Sequence, residues 1–283
     1  MERIVITISI LYAMVIVLNF ITYPFVIFGK AELDLSRGGI RNRVPGVDYA
    51  VFVMLYFINR FLSTNGRRYI VYSGAYFILI CLSLTRQTIA ISALLGMLFF
   101  FNKISIGRKL FLGIVAFLMF QYVVPQIPLV QNMMNLTEEQ SERNAARDED
   151  DIRIQGYKYF LIEGQQDIPR FFMGHGKASF GNSAFGDRRE KFEEETRIFA
   201  ADVCFSGFLY IFGFIAWLGL MFIMIKGILV RKSPNLQYIT YFLLYILLTS
   251  LASGPFVYGS TIILIVGALY IAAYDKQRII HAK

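Results

Sequence analysis

Residues 200–225, AADVCFSGFLYIFGFIAWLGLMFIMI, form a 26-residue run whose only charged side chain is Asp202. At 1.5 Å of rise per residue, such a run is long enough as a helix to cross the hydrocarbon core of a bilayer, which is about 30 Å thick. Similar apolar runs lie before it at 4–28, 47–61, 69–84, 87–101 and 110–124, and after it at 238–253 and 256–273. The reading that follows is an all-α polytopic membrane helix bundle of about eight transmembrane helices. A membrane β-barrel is excluded, because its strands would be about ten residues long with strict alternation, and no alternation is present. Composition agrees: 56% of residues are hydrophobic, only 17% are charged, and the mean hydropathy is positive.

The other informative stretch is 124–197, a charged, Arg-rich segment lying between these runs. So many polar residues in one place predict a water-facing structure with a function. The chain thus divides into membrane helices 1–5 over residues 1–124, a large helical loop over 125–198, and membrane helices 6–8 over 199–283. No internal repeat and no low-complexity tract interrupts it. The first run, after Met1-Glu2-Arg3, is too long for a signal peptide and has no small-residue cleavage site, so it reads as a retained anchor.

Orientation follows from the short loops. Arg3, Arg60, Arg67, Arg68, Lys103, Arg108, Lys109, Lys226, Arg231, Lys232, Lys276, Arg278 and Lys283 all fall on one side, opposed only by Glu2 and Asp275. By the positive-inside rule that side, with both termini, is cytoplasmic. The large loop is then extracytoplasmic, and its cations are outnumbered by carboxylates. The formal charge of +8 is a topology signal and calls for no nucleic acid. Cys81 and Cys204 both fall near outer span ends, where two buried thiols are favoured over a disulfide.

Within the outer segments, residues 29–46 read as an irregular basic stretch. Thr137 and Gln140 have capping-box spacing, predicting a helix over 138–163 that ends at Gly164 and places Arg153, Tyr157, Phe160 and Leu161 along one stripe. Next comes Met173-Gly174-His175-Gly176, a turn that permits close backbone approach to a ligand or simply joins two helices. A highly charged run over 187–197 follows.

Five residues are candidates for chemistry. Arg86 opens the fourth span, where a guanidinium costs about 2.5 to 3.5 kcal/mol at a helix centre and less near an interface. It either snorkels to the headgroups or clamps an anion, for which the guanidinium fork suits phosphate better than an ammonium does. Arg153 and Arg197 are further anion candidates. Asp202 either complements a helix dipole or acts as general base. His175, the only histidine of the loop, is either solvated or the competing base. No phosphate-binding Gly loop, zinc motif or nucleophile elbow appears. Metal binding is not expected from two His and two Cys scattered over the chain, and neither is a cofactor.

The stretch 78–101, with Leu-Ser-Leu-Thr-Arg-Gln-Thr at its centre, resembles the Ser-Arg-Gly helix start of the O-antigen polymerase (Wzy-type) and ligase superfamily. A large outer loop follows two spans later, as it does there. Arg153 with Tyr157, Gly174-His175-Gly176, and Ala200-Ala201-Asp202 through Gly207 and Gly213 resemble that family's loop and post-loop elements, and Arg153 and Gly164 enclose ten residues. The likeness covers about residues 36–225. It departs at Thr196-Arg197-Ile198-Phe199-Ala200, where the ligases carry a His-Asn pair, and in span number, the family commonly having ten or more. The expectation is that helices are absent at the N-terminus or encoded elsewhere.

The resemblance implies a metal-independent polysaccharide polymerase of the bacterial inner membrane, a lipid-linked glycosyltransferase. It would move an O-antigen- or capsule-type glycan from polyprenyl diphosphate to a carrier-linked acceptor sugar. Arg86, Arg153 and Arg197 would hold the substrate diphosphate, with Asp202 or His175 as base. Implied partners are the polyprenyl-diphosphate-linked oligosaccharide, membrane lipid, a chain-length regulator and a flippase. The alternatives are a ligase-type glycan transferase, a polysaccharide transporter or flippase, and a non-catalytic membrane partner.

Overall fold

The computed structural model describes residues 2–34, 39–42, 44–102, 131, 135, 151–165, 167–256 and 259–281. Among them the architecture is mostly helical, as the sequence predicts. The elements are α1 (Glu2–Thr22), a two-stranded hairpin of β1 (Ala31–Asp34) and β2 (Gly39–Asn42), α2 (Val47–Thr64), α3 (Arg67–Leu82) and α4 (Arg86–Asn102). After the undescribed stretch come α5 (Ile152–Lys158), continued by a π-helical turn at Tyr159–Glu163, then α6 (Ile168–Met173), α7 (Ala184–Thr196), α8 (Cys204–Leu229), α9 (Tyr238–Thr249) and α10 (Gly259–His281). Seven of the eight expected spans coincide with helices, and the eighth, 110–124, lies outside the described residues. Of the described helices, α1 and α8 are long and apolar enough to cross a membrane, and α4 is a shorter apolar helix through Phe101.

The chain divides into two compact units, residues 1–148 with 232–242, and residues 149–231 with 243–283. In the first unit α2 packs against α1, α3 and α4. Its residues Ala50 to Val53 and Leu55 are fully buried. Phe52 meets Tyr238 and Phe242 edge-on at ring distances of 5.3 and 5.1 Å, and Phe99 stacks on Tyr241 at 4.2 Å. At one end of this unit the Tyr238 hydroxyl donates to Glu2 Oε1 at 2.5 Å, and Asn59 donates to the Asn235 carbonyl at 2.5 Å.

The α1 helix shows how polarity is arranged. Its buried residues are Val5, Ser9, Tyr12, Ile16 and Asn19, spaced by fours and threes as one seam. Three of these five are polar, whereas Ile4, Leu11, Met14 and Ile21 face outward with more than half their surface exposed. A face of that kind would be penalised in water and is neutral in lipid. Asn19 closes the segment beyond the helix, donating from Nδ2 to the Phe28 carbonyl and accepting from the Ile27 N–H, both at 2.9 Å.

Two local expectations are corrected. Residues 29–46 contain a regular antiparallel pair, with Ala31 opposite Asn42 and Asp34 opposite Gly39; the short alternation in each arm was too brief to be read as strand. The helix expected over 138–163 is not continuous, because Asp151 is extended (φ −50°, ψ 138°) and caps α5, accepting from the Arg153 N–H at 2.9 Å. Thr137, Gln140 and the rest of 136–150 lie outside the described residues.

The expected stripe also changes. Phe160 is fully buried, but Leu161 and Arg153 are exposed. The buried face is set by Gly156 and Phe160, four residues apart, and Arg153 and Leu161 fall off it.

Candidate functional site

The second unit is organised by a break in the apolar run at residues 200–225. Inside α8, Gly213 has φ 83° and ψ 168°, so the helix stops after residue 212 and restarts at 214. Interrupting a helix leaves carbonyls without intrahelical partners. Here the chain after α6 supplies them: the His175 N–H donates to the Tyr210 carbonyl at 2.9 Å and the Gly176 N–H to the Ile211 carbonyl at 3.0 Å. The two backbones touch at Gly174 and Gly213. A Cβ on Gly174 would collide with the Ile211 carbonyl oxygen and lie 2.6 Å from Gly213 N, and one on Gly213 would lie 2.6 Å from Gly174 N. Both glycines sit at φ 83°, so chemistry and space demand glycine together.

Tyr210 and Ile211, just before the break, pack with the segment that precedes α8. Phe160, Ile198, Val203 and Tyr210 form a buried cluster, with Tyr159, Phe192 and Ile211 packed on it. The α7 helix is placed by its cap, Ser183 Oγ accepting from the Gly186 N–H at 3.0 Å. Ser183→Ala is expected to cost about 1 kcal/mol, read as roughly fivefold faster amide exchange at Gly186 with the rest of the unit unchanged. Unchanged exchange there would mean that the cap does not hold the helix start.

Between the π-helical turn, α6, α7 and the first half of α8 lies a cavity of about 340 Å³, lined among others by Tyr159, Arg170, His175, Arg188, Arg189 and Tyr210. The His175 ring stacks on the Tyr210 ring at 4.1 Å with an interplanar angle of 8°. Its Nδ1 lies 3.2 Å from the Tyr210 carbonyl oxygen. A carbonyl only accepts, so this contact assigns the neutral ring's proton to Nδ1 and leaves the Nε2 lone pair free. Burial pushes the imidazole pKa below its usual value; the Tyr210 carbonyl and Asp167 oppose this, and the Arg170 and Arg189 charges reinforce it. The result is a neutral base at neutral pH.

Arg189 is the residue that reading the sequence missed. It is only 7% exposed, its Nε donates to Glu193 Oε1 at 3.0 Å, and its guanidinium carbon lies 4.8 to 5.6 Å from the ring centres of Phe160, Phe192, Tyr210 and Tyr159. In the charged run over 187–197, composition does not set it apart from the other cations. A helical spacing carries the clue: Phe185, Arg189 and Phe192 fall four and three apart, so the one Arg lies on the aromatic face.

The expected site residues separate. His175 lies in the cavity. Asp202 and Arg153 are both exposed in the same unit; partial desolvation raises the Asp202 carboxyl pKa, and the Arg153 charge pulls it back. Arg197 is exposed and ends α7 in the left-handed conformation (φ 57°), its N–H bonded to the Glu193 carbonyl. Neither Asp202, Arg153 nor Arg197 lines the cavity. Arg86 is half-buried at the start of α4 and belongs to the first unit. Cys81 and Cys204 are both free thiols. Among the described residues no group of three His, Cys, Asp or Glu is placed to hold a metal ion.

No family model, curated protein or solved structure matches the chain.

Proposed function

We propose that this protein is a multi-pass membrane enzyme that polymerises glycan repeat units, transferring a growing glycan from polyprenyl diphosphate to a carrier-linked acceptor sugar at the outer face of the bacterial inner membrane. The observation that carries the reading is the loop cavity, in which a neutral histidine with a free Nε2 stands beside arginines and aromatic walls. A helical bundle of about eight spans, with the loop outside, is supported by the one-sided distribution of Lys and Arg and by the outward apolar face of α1.

In the proposed reaction the acceptor hydroxyl oxygen attacks the anomeric carbon of the donor sugar. The bond from that carbon to the carrier phosphate breaks, the diphosphate leaves with the electron pair, and the hydroxyl proton passes to His175 Nε2. A diphosphate is a weak base and needs no acid to leave, but its developing charge needs fixed cations. Arg153 and Arg197, exposed outside the cavity in the same unit, are assigned that task. Aromatic faces at Tyr159, Phe192 and Tyr210 suit the CH face of a pyranose. In this assignment His175 replaces Asp202 as first candidate for the base.

The test is deletion in the native host. Carrier-linked single repeat units should accumulate at the outer face, and the intact gene should restore long chains. Long unligated chains would instead identify a ligase, and single units trapped inside would identify a flippase; either result ends the polymerase reading.

A further inference from the structure

The terminal nitrogens of Arg189, Nη1 and Nη2, are both buried and have no hydrogen-bond partner among the described residues. Donors left in that state cost about 1 to 3 kcal/mol each, and more on a charged group. In native proteins such groups mark a missing ligand, ion or water. Arg189 lies in the wall shared by the 340 Å³ cavity and a second one of about 200 Å³. Its Nε is already occupied by Glu193. What remains is the end of the fork, two parallel N–H donors fixed in one plane by four surrounding rings.

Charge decides which anion suits it. Around this cavity Arg170, Arg188 and Arg189 are matched by Glu163, Asp167 and the Glu193 that pairs with Arg189. With no cation in excess, the unpaired Nη1 and Nη2 can satisfy one carboxylate, whereas a diphosphate would bring two or three charges into an aromatic enclosure that offers no further counter-charge. Stacked Tyr159 and Phe192, with ring centres 4.2 Å apart, and Tyr210 supply flat apolar surface beside the fork.

We propose that Arg189 binds the carboxylate of an acidic pyranose, a hexuronic acid in the glycan, through a two-point contact from Nη1 and Nη2, making it a residue that selects the substrate. This rests on the polymerase reading for its glycan context. The carrier's diphosphate is then held elsewhere in the site.

The full-length protein in detergent would be titrated with methyl glucuronide, methyl glucoside and inorganic pyrophosphate, with binding followed by saturation-transfer NMR. Glucuronide is expected to bind, glucoside at least about tenfold more weakly because it leaves the fork unpaired, and pyrophosphate not to displace glucuronide. Arg189→Lys keeps the charge but loses the fork, and should weaken glucuronide about tenfold or more. If that variant fails to fold, the three ligands on the wild-type protein still decide. Equal binding of glucoside, or displacement by pyrophosphate, overturns the proposal. Glucuronide binding in a protein whose deletion leaves chain length intact would remove the polymerase reading alone; polymerase activity without glucuronide binding would remove the carboxylate site alone.

Discussion

Gly174→Ala and Gly213→Ala should each abolish the folded second unit, whereas Gly176→Ala, two residues from the first, should be tolerated far better. All three glycines have positive φ, between 82° and 83°, so each alanine carries a left-handed backbone cost of about 1 to 2 kcal/mol. They differ in space. A methyl on Gly176 meets nothing within 4 Å, but one on Gly174 or Gly213 runs into the opposite backbone, which no side-chain rotation can relieve. Adding a clash of about 1 to 3 kcal/mol or more brings the expected loss to roughly 3 kcal/mol, a large part of a domain's stability. Limited proteolysis of the purified protein reads this directly, as rapid cleavage within 151–203 for the first two variants and protection for the third. Similar protection in all three would show that the two chains do not cross at these glycines.

The second large effect is on the reaction. Replacing His175 with alanine keeps the backbone donor to the Tyr210 carbonyl and removes only the imidazole, so the protein should remain folded while chain extension falls by about 10² to 10⁴, the usual contribution of a positioned base. Asp202→Asn should stay within a few-fold of wild type. The pH profile gives an independent check. Because burial lowers the His175 pKa, the base form persists below the ordinary imidazole value of about 6.5. Wild-type turnover should therefore hold from neutral pH to below that value, then fall as pH drops through the depressed pKa. Stability has the same sign: the unfolded chain binds the proton more tightly, so the contribution of a neutral buried His175 is complete above about pH 6.5 and is lost as pH falls through the folded pKa. An extension rate unaffected by His175→Ala, or one whose acid limb survives that substitution, assigns the proton to another group.

Much of the helical plan was legible because it follows from short-range properties. Length and apolarity predicted α2 to α4, α8 and α9 to within about four residues at each end, while α1 stops six residues short of the expected end and α10 runs eight residues past it; an apolar run with few charges has few alternatives to a helix when its backbone must satisfy itself. The hairpin at residues 31–42 was not legible, since four-residue arms carry too little alternation. Nor was the break at Gly213, because a glycine inside an apolar helix is common and its reason lies about forty residues upstream, in the chain that crosses it.

The amino-acid order alone thus showed which described segments are helices, and that His175 and a set of arginines share one polar stretch. Tertiary structure alone decided which of them meet. It joined His175 to Tyr210 through a carbonyl released by the helix break, enclosed Arg189 among four rings from three elements, and left Asp202 and Arg153 outside the cavity lining. Periodicity is a local property that sequence carries openly. Burial and proton position depend on groups distant in the chain, and they come into being only when the backbones pack.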